Sequence, residues 1–131
     1  MRKFILALST FLLSIASYSA ELIHNLNIEL SLNDSPSYTY NLSTLTNNEA
    51  IFEKGIDETK LRVSVVPTFK NEKTLLYIKV IEIFNEEELL LGHAELITDS
   101  SEFVRLVLMT DRNHLEKISL KIKDSSTNNQ N

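Results

Sequence analysis

The chain has 131 residues, with 13 Lys and Arg against 18 Asp and Glu, a formal net charge of −5, two Gly, two Pro and no Cys. This is the size of one domain, and the composition excludes a collagenous or Pro/Gly-rich disordered chain, a disulfide scaffold and thiolate zinc or cysteine-nucleophile chemistry. The acidic balance argues against nucleic acid as a partner, because a phosphate-backbone binder needs a basic surface.

The first twenty residues read as a secretory signal peptide. Arg2 and Lys3 precede an apolar run from Phe4 to Ile15 that is too short to cross a bilayer as a helix, and Ser17, Ser19 and Ala20 supply the small residues of a cleavage site near Ser19 or Ala20. No Cys follows the run, which argues against a lipid anchor, and no later segment has the length or apolarity of a transmembrane helix. The short basic start suits a bacterial export signal, so the expected location is the periplasm or the outside of the cell.

Beyond this segment, period-two alternation recurs and helical periodicity is nearly absent. Leu22, Leu26, Ile28, Leu30 and Leu32 alternate with Asn25, Asn27, Glu29 and Ser31, the pattern of a half-buried strand. Asn33-Asp34-Ser35-Pro36 turns the chain into a second strand, Tyr38 to Leu45. Thr46 to Glu49 is the next turn and Ala50 to Glu53 a short third strand. Lys54-Gly55-Ile56-Asp57 is a loop in which Gly is suited to positive φ. Leu61 to Phe69 is the fourth strand, with Pro67 expected near its end or on an edge.

Leu75 to Phe84 is apolar on both faces, which predicts a central strand covered on both sides. Leu89 to Ile97 and Phe103 to Met109 follow, and Ile118, Leu120 and Ile122 alternate with Lys117, Ser119, Lys121 and Lys123 in the last strand. Residues 124–131 contain no apolar side chain and are expected to be a disordered tail, leaving a single β domain over residues 21–123. About eight antiparallel strands at this spacing indicate an all-β sandwich or a partly open barrel. The segments Leu45 to Phe52 and Ile97 to Val104 share one apolar-turn-apolar grammar, and Leu61 to Phe69 lines up with Leu115 to Lys123. These matches suggest two similar four-strand halves in succession.

The middle of the chain also carries a family pattern. Leu42 to Gly55 contains a strand that reaches Thr46, a short Asn47-Asn48 turn and a Glu49-Ala50-Ile51-Phe52 return strand ending at Gly55. Leu61 to Phe69 then alternates up to a Pro and is followed by the long apolar strand to Phe84. Residues 42–84 thus resemble the β-meander of bacterial secretin domains, and the chain otherwise resembles small exported bacterial proteins. The resemblance implies a shared meander and not a pore, since the long membrane-spanning hairpins of secretins have no counterpart here.

Chemistry-bearing constellations are scarce. His24, His93 and His114 are the only imidazoles and show neither H-x-H nor H-x-x-x-H spacing, so neither a metal site nor a cofactor is expected. His24 reads as a partly buried edge residue, His93 as a polar neighbour of Glu95, and Asp111-Arg112-Asn113-His114 as turn chemistry. Glu86-Glu87-Glu88 lacks the alternate oxygen spacing and sharp Gly turn of a calcium loop and reads as a solvated hairpin tip. With Gly55 and Gly92 as the only glycines, neither a nucleophile elbow nor a Gly-rich phosphate loop is present.

These readings favour a non-catalytic exported envelope protein over an enzyme. It would be a structural or protein-binding β domain that engages another envelope protein through an edge strand or sheet face. A small secreted inhibitor or chaperone of a hydrolase is the alternative. The candidate partner-binding residues are Lys117, Lys121 and Lys123, either steering an acidic partner or guarding an edge strand, and Tyr38 and Tyr40, which share one strand face and either dock a partner or, as the favoured reading, pack in the core.

Overall fold

A computed structural model describes residues 22–99, 102–112 and 115–128. The expected signal peptide and His114 lie outside these residues. The fold is all-β, with β1 (Leu22–Leu32), β2 (Tyr38–Leu45), β3 (Ala50–Ile56), β4 (Thr59–Lys70), β5 (Lys73–Phe84), β6 (Glu87–Thr98), β7 (Phe103–Arg112) and β8 (Leu115–Asn128). The strands form two four-stranded antiparallel sheets, β2-β1-β8-β7 and β3-β4-β5-β6. Read in chain order, the strands run up and down around one ring that β8 closes onto β1, but backbone pairing is interrupted at two seams, β2/β3 and β6/β7.

Alternation decides what each sheet buries. Leu26, Ile28 and Leu30 of β1 and Ile118, Leu120 and Ile122 of β8 join Leu61, Val63 and Val65 of β4 and Leu76, Ile78 and Val80 of β5 in one core. The inner strands of each sheet therefore supply most of it. The seams are closed by side chains: Tyr40 stacks on Phe52 at 4.0 Å between ring centroids across β2/β3. At β6/β7, Gly92 admits Leu108 so closely that a Cβ there would lie 2.7 Å from Leu108 Cδ2.

With so few glycines, the hairpins place other residues in the left-handed region. Asn71-Glu72 and Asn85-Glu86 both have positive φ at each position, as two-residue hairpins that follow the strand twist require, and Asn tolerates that conformation best among the non-glycine residues. Between β3 and β4 the positive φ belongs to Asp57 (53°) and not to Gly55, which lies within β3. Pro67 is an internal residue of β4 but sits beyond the last β3 pair, Ala50 with Val65, where only the β5 side of the ladder continues.

Other expectations are corrected. β8 is not an edge strand; it is hydrogen-bonded to β1 on one side and β7 on the other. It also runs on to Asn128, so the expected tail from Asp124 is strand over its first five residues, anchored by a fully buried Asp124. β5 has one buried face; on the other, Tyr77 and Lys79 are exposed, because among the described residues no layer covers the outside of its sheet. The two halves of the chain are not the two sheets, since each sheet draws strands from both. Advancing each strand of β2-β1-β8-β7 by four around the ring nevertheless returns β6-β5-β4-β3, the other sheet. Two-half similarity is thus expressed as a pseudo-two-fold exchange of the sheets, with the β2–β3 and β6–β7 corners as equivalents.

Candidate functional site

The outer face of β2-β1-β8-β7 carries the polar phase of β2, β1 and β8, while β7 presents Phe103, Arg105, Val107 and Met109. Asn41 and Ser43 of β2 meet Asn27 and Asn25 of β1 in side-chain hydrogen bonds of 2.8 Å each. One strand further on, the face turns cationic. Lys121 lies between Glu29 of β1 and Arg105 of β7, and Lys123 between Asn27 and Phe103. The Lys121 and Lys123 ammonium groups sit 4.7 and 5.4 Å from the Phe103 ring centre, in cation–π reach. Lys117 pairs with Asp34 at 2.9 Å across the β1–β2 turn, whose Asn33 side chain accepts the Glu116 and Lys117 amides at 2.7 and 3.0 Å.

A shallow depression of about 300 Å³ opens on this face, lined by Lys117, Lys121 and Arg105 together with Glu29 and Asp34. Placing Lys121 directly opposite Arg105 is unfavourable for the sheet itself, because like charges across a strand pair repel. Among the described residues, Lys121, Lys123 and Arg105 form no ion pair.

The three lysines therefore share one surface, and the structure adds Arg105 and Phe103 to it. Both lie on the outward phase of β7, with Val107 and Met109, but only the pairing of β7 with β8 brings them to the lysines. Tyr38 and Tyr40 do share a face, as expected, but it is the opposite, inward one. Tyr40 is half-buried on Phe52, and Tyr38 holds the Lys54 ammonium 4.0 Å over its ring at the β2/β3 seam.

His24 is not an edge residue. It is fully buried, with Nδ1 2.7 Å from Asp124 Oδ2 and Nε2 2.9 Å from Thr46 Oγ1. With the Nδ1 proton facing the carboxylate, a neutral ring leaves Nε2 to accept the Thr46 hydroxyl. This is the order of groups in a hydrolytic triad, yet the surrounding amides are already committed. The amides of Thr46, Asn47 and Asn48 donate to the carbonyls of Leu22, Pro67 and Leu45 at 3.3, 2.7 and 3.0 Å. The chain Asp124–His24–Thr46 fastens the β2–β3 corner to β1 and β8. The equivalent β6–β7 corner is closed locally, by the buried Thr98 hydroxyl donating to the Asp99 carbonyl at 2.9 Å.

On the outside of β3-β4-β5-β6, His93 is exposed and lies opposite Lys79. Arg62 donates to Glu53 at 2.9 Å and to Glu88 at 3.0 Å. The Arg62 hydrogen bond holds the Glu53 carboxyl below the ordinary carboxylate value, with the nearby Lys60 charge adding to it, and the same bond raises Arg62. Glu88 thus belongs to an exposed ion-pair network, while Glu86 occupies the hairpin turn. Among the described residues no group of three or more His, Asp or Glu side chains is arranged to hold a metal ion.

Compared with known proteins, the chain matches no family model, no curated protein and no solved structure.

Proposed function

We propose that this protein is a non-catalytic exported binding domain, acting in the bacterial periplasm or outside the cell, which holds an acidic partner protein against the outer face of β2-β1-β8-β7. One observation carries the reading: Lys121 and Lys123 meet the Phe103 ring, with Arg105 opposite Lys121 and Lys117 further along the same inner strand, in a chain of net charge −5. Lysines on an edge strand would repel unwanted strand pairing, but both sides of β8 are already paired, so that role is not open to them. Recognition of negative charge accounts for the cluster, with Phe103 as the apolar contact within it. Export is supported by the basic start and apolar run of residues 2–15.

The test is titration of a fluorescent Glu-rich peptide, with phosphatidylglycerol vesicles as a second probe. The peptide is expected to bind with an affinity that falls as salt rises, and the combined Lys117→Gln, Lys121→Gln, Lys123→Gln variant is expected to lose at least about tenfold. Equal affinity in the variant, no peptide binding, or binding to the vesicles alone would overturn the reading.

A further inference from the structure

The outward phase of β5 is apolar where that of its topological equivalent, β1, is polar. Outside β1 stand Asn25, Asn27, Glu29 and Ser31, as suits an inner strand with one face in water. Outside β5 stand Leu75, Tyr77, Ile81 and Ile83, interrupted only by Lys79. The neighbouring strands extend this surface: Leu75 pairs with Ile97, Tyr77 with Val66 and Ile81 with Leu90. Tyr77, Leu90 and Ile97 are 41, 51 and 65% exposed.

A strand that is apolar on both faces is the mark of a layer on each side. Among the described residues, this chain supplies only the inner layer. Folding does not require apolar residues outside, because the polar outward phase of β1 serves the other sheet. A contiguous apolar surface that the fold itself does not use marks an interaction site.

We infer that a second copy of this chain covers that surface, in a two-fold dimer that stacks the outer face of β3-β4-β5-β6 on itself. Charge selects the occupant. Lys60, Arg62 and Lys79 share the face with Glu53, Glu88 and Glu95, so it suits neither a strongly acidic nor a strongly basic partner. Arg62 is held by Glu53 and Glu88, whereas Lys79 and Glu95 form no ion pair among the described residues. In an isologous interface each copy offers the other one cation and one carboxylate, so Lys79 meets Glu95 twice. Size agrees with this. Four strands about 4.8 Å apart, each about nine residues of about 3.3 Å, present a face of roughly 600 Å². Two copies therefore remove roughly 1,200 Å² from water, at the lower end of specific protein interfaces, about 1,200 to 2,000 Å². The dimer leaves the basic face on the other sheet free and does not depend on the partner reading above.

Sedimentation velocity of the purified protein over about 1 to 100 μM tests this, with thermal unfolding to show that each variant folds. A reversible monomer–dimer equilibrium with a Kd of about 10 μM is expected. Tyr77→Lys and Ile97→Lys change exposed positions, so the fold should survive both, and each is expected to weaken the dimer at least about tenfold. Lys79→Glu and Glu95→Lys are each expected to weaken it at least about threefold alone, and to associate with one another, when mixed, as tightly as the parent does with itself. The combined Lys117→Gln, Lys121→Gln, Lys123→Gln variant is expected to dimerise like the parent. A monomer at every concentration, a dimer that folded Tyr77→Lys and Ile97→Lys leave unchanged, charge-reversed variants no tighter mixed than apart, or a dimer lost with the three lysines would each overturn the inference.

Discussion

The two sheets share a pseudo-two-fold plan and a common core, yet their outer faces are built differently. On β3-β4-β5-β6, Arg62 is satisfied by Glu53 and Glu88, and apolar side chains such as Ile51, Tyr77, Leu90 and Ile97 stand among Lys79, His93 and Glu95. On β2-β1-β8-β7, amide and hydroxyl side chains bond one another, Lys121 and Lys123 meet one aromatic ring with Arg105 opposite Lys121, and Val107 and Met109 leave apolar surface on β7. The core needs only the inward phase of each strand, so the outward phase is where two topologically equivalent sheets can take different tasks. One outer face pairs Arg62 with two carboxylates, and the other sets Lys121, Lys123 and Arg105 side by side without an ion pair among the described residues.

The comparison is broken most severely on β1, whose two phases meet the core and the polar face. Ile28→Asp places a carboxylate in the centre of the core and is expected to unfold the domain, a loss above about 3 kcal/mol in urea titrations. Asn27→Asp alters only the outer hydrogen bond to Asn41, beside Lys123, and should cost less than about 1 kcal/mol. Equal losses would contradict the assignment of faces.

The next largest effect separates the two corners. Asp124→Ala leaves His24 buried without its carboxylate and is expected to cost about 3 kcal/mol, whereas Thr46→Val, which removes one hydrogen bond, should cost about 1 kcal/mol. Both are read from denaturant midpoints. A loss for Asp124→Ala no larger than that for Thr46→Val would reduce the clamp to a local contact.

Smaller still is the contrast between the glycines. Gly92→Ala drives a methyl against Leu108 across the β6/β7 seam and should cost about 1 to 2 kcal/mol, recovered in part when Leu108→Val is added. Gly55→Ala meets no atom within 4 Å and needs no positive φ, so it should be neutral or slightly stabilising by thermal unfolding.

The smallest effect concerns the face that carries Arg62. Because Arg62 holds the Glu53 carboxyl below its ordinary value of 4.5, the stability this pair contributes is present above that pH and is lost as pH falls through the lowered folded value. Arg62→Gln should flatten that part of the acid unfolding curve, and raising salt should diminish the difference between variant and parent. An unchanged acid curve would show that the exposed fork contributes nothing measurable.

Much of this architecture is legible in the alternation of residues. β1 and β2 begin and end where the periodicity places them, and Ile118, Leu120 and Ile122 turn inward as their spacing requires. Period two tells which residues share a face but not which strand lies alongside. For that reason β8 reads from sequence as an outer strand, and Arg105 and Phe103 remain unconnected to the lysines until β7 is seen paired with β8. The buried hydrogen-bonded pair is hidden for a related reason: His24 and Asp124 are 100 residues apart, and Asp124 opens a polar segment with no apolar signal of its own.

The central claim is that the cationic outer face, and not its apolar counterpart, meets the partner. Amide chemical-shift mapping of the bound Glu-rich peptide tests it directly. Shifts are expected at Phe103, Arg105, Lys117, Lys121 and Lys123 at low salt, fading as salt rises. Shifts centred instead on Ile51, Tyr77, Leu90 and Ile97, or shifts that persist unchanged at high salt, would contradict it.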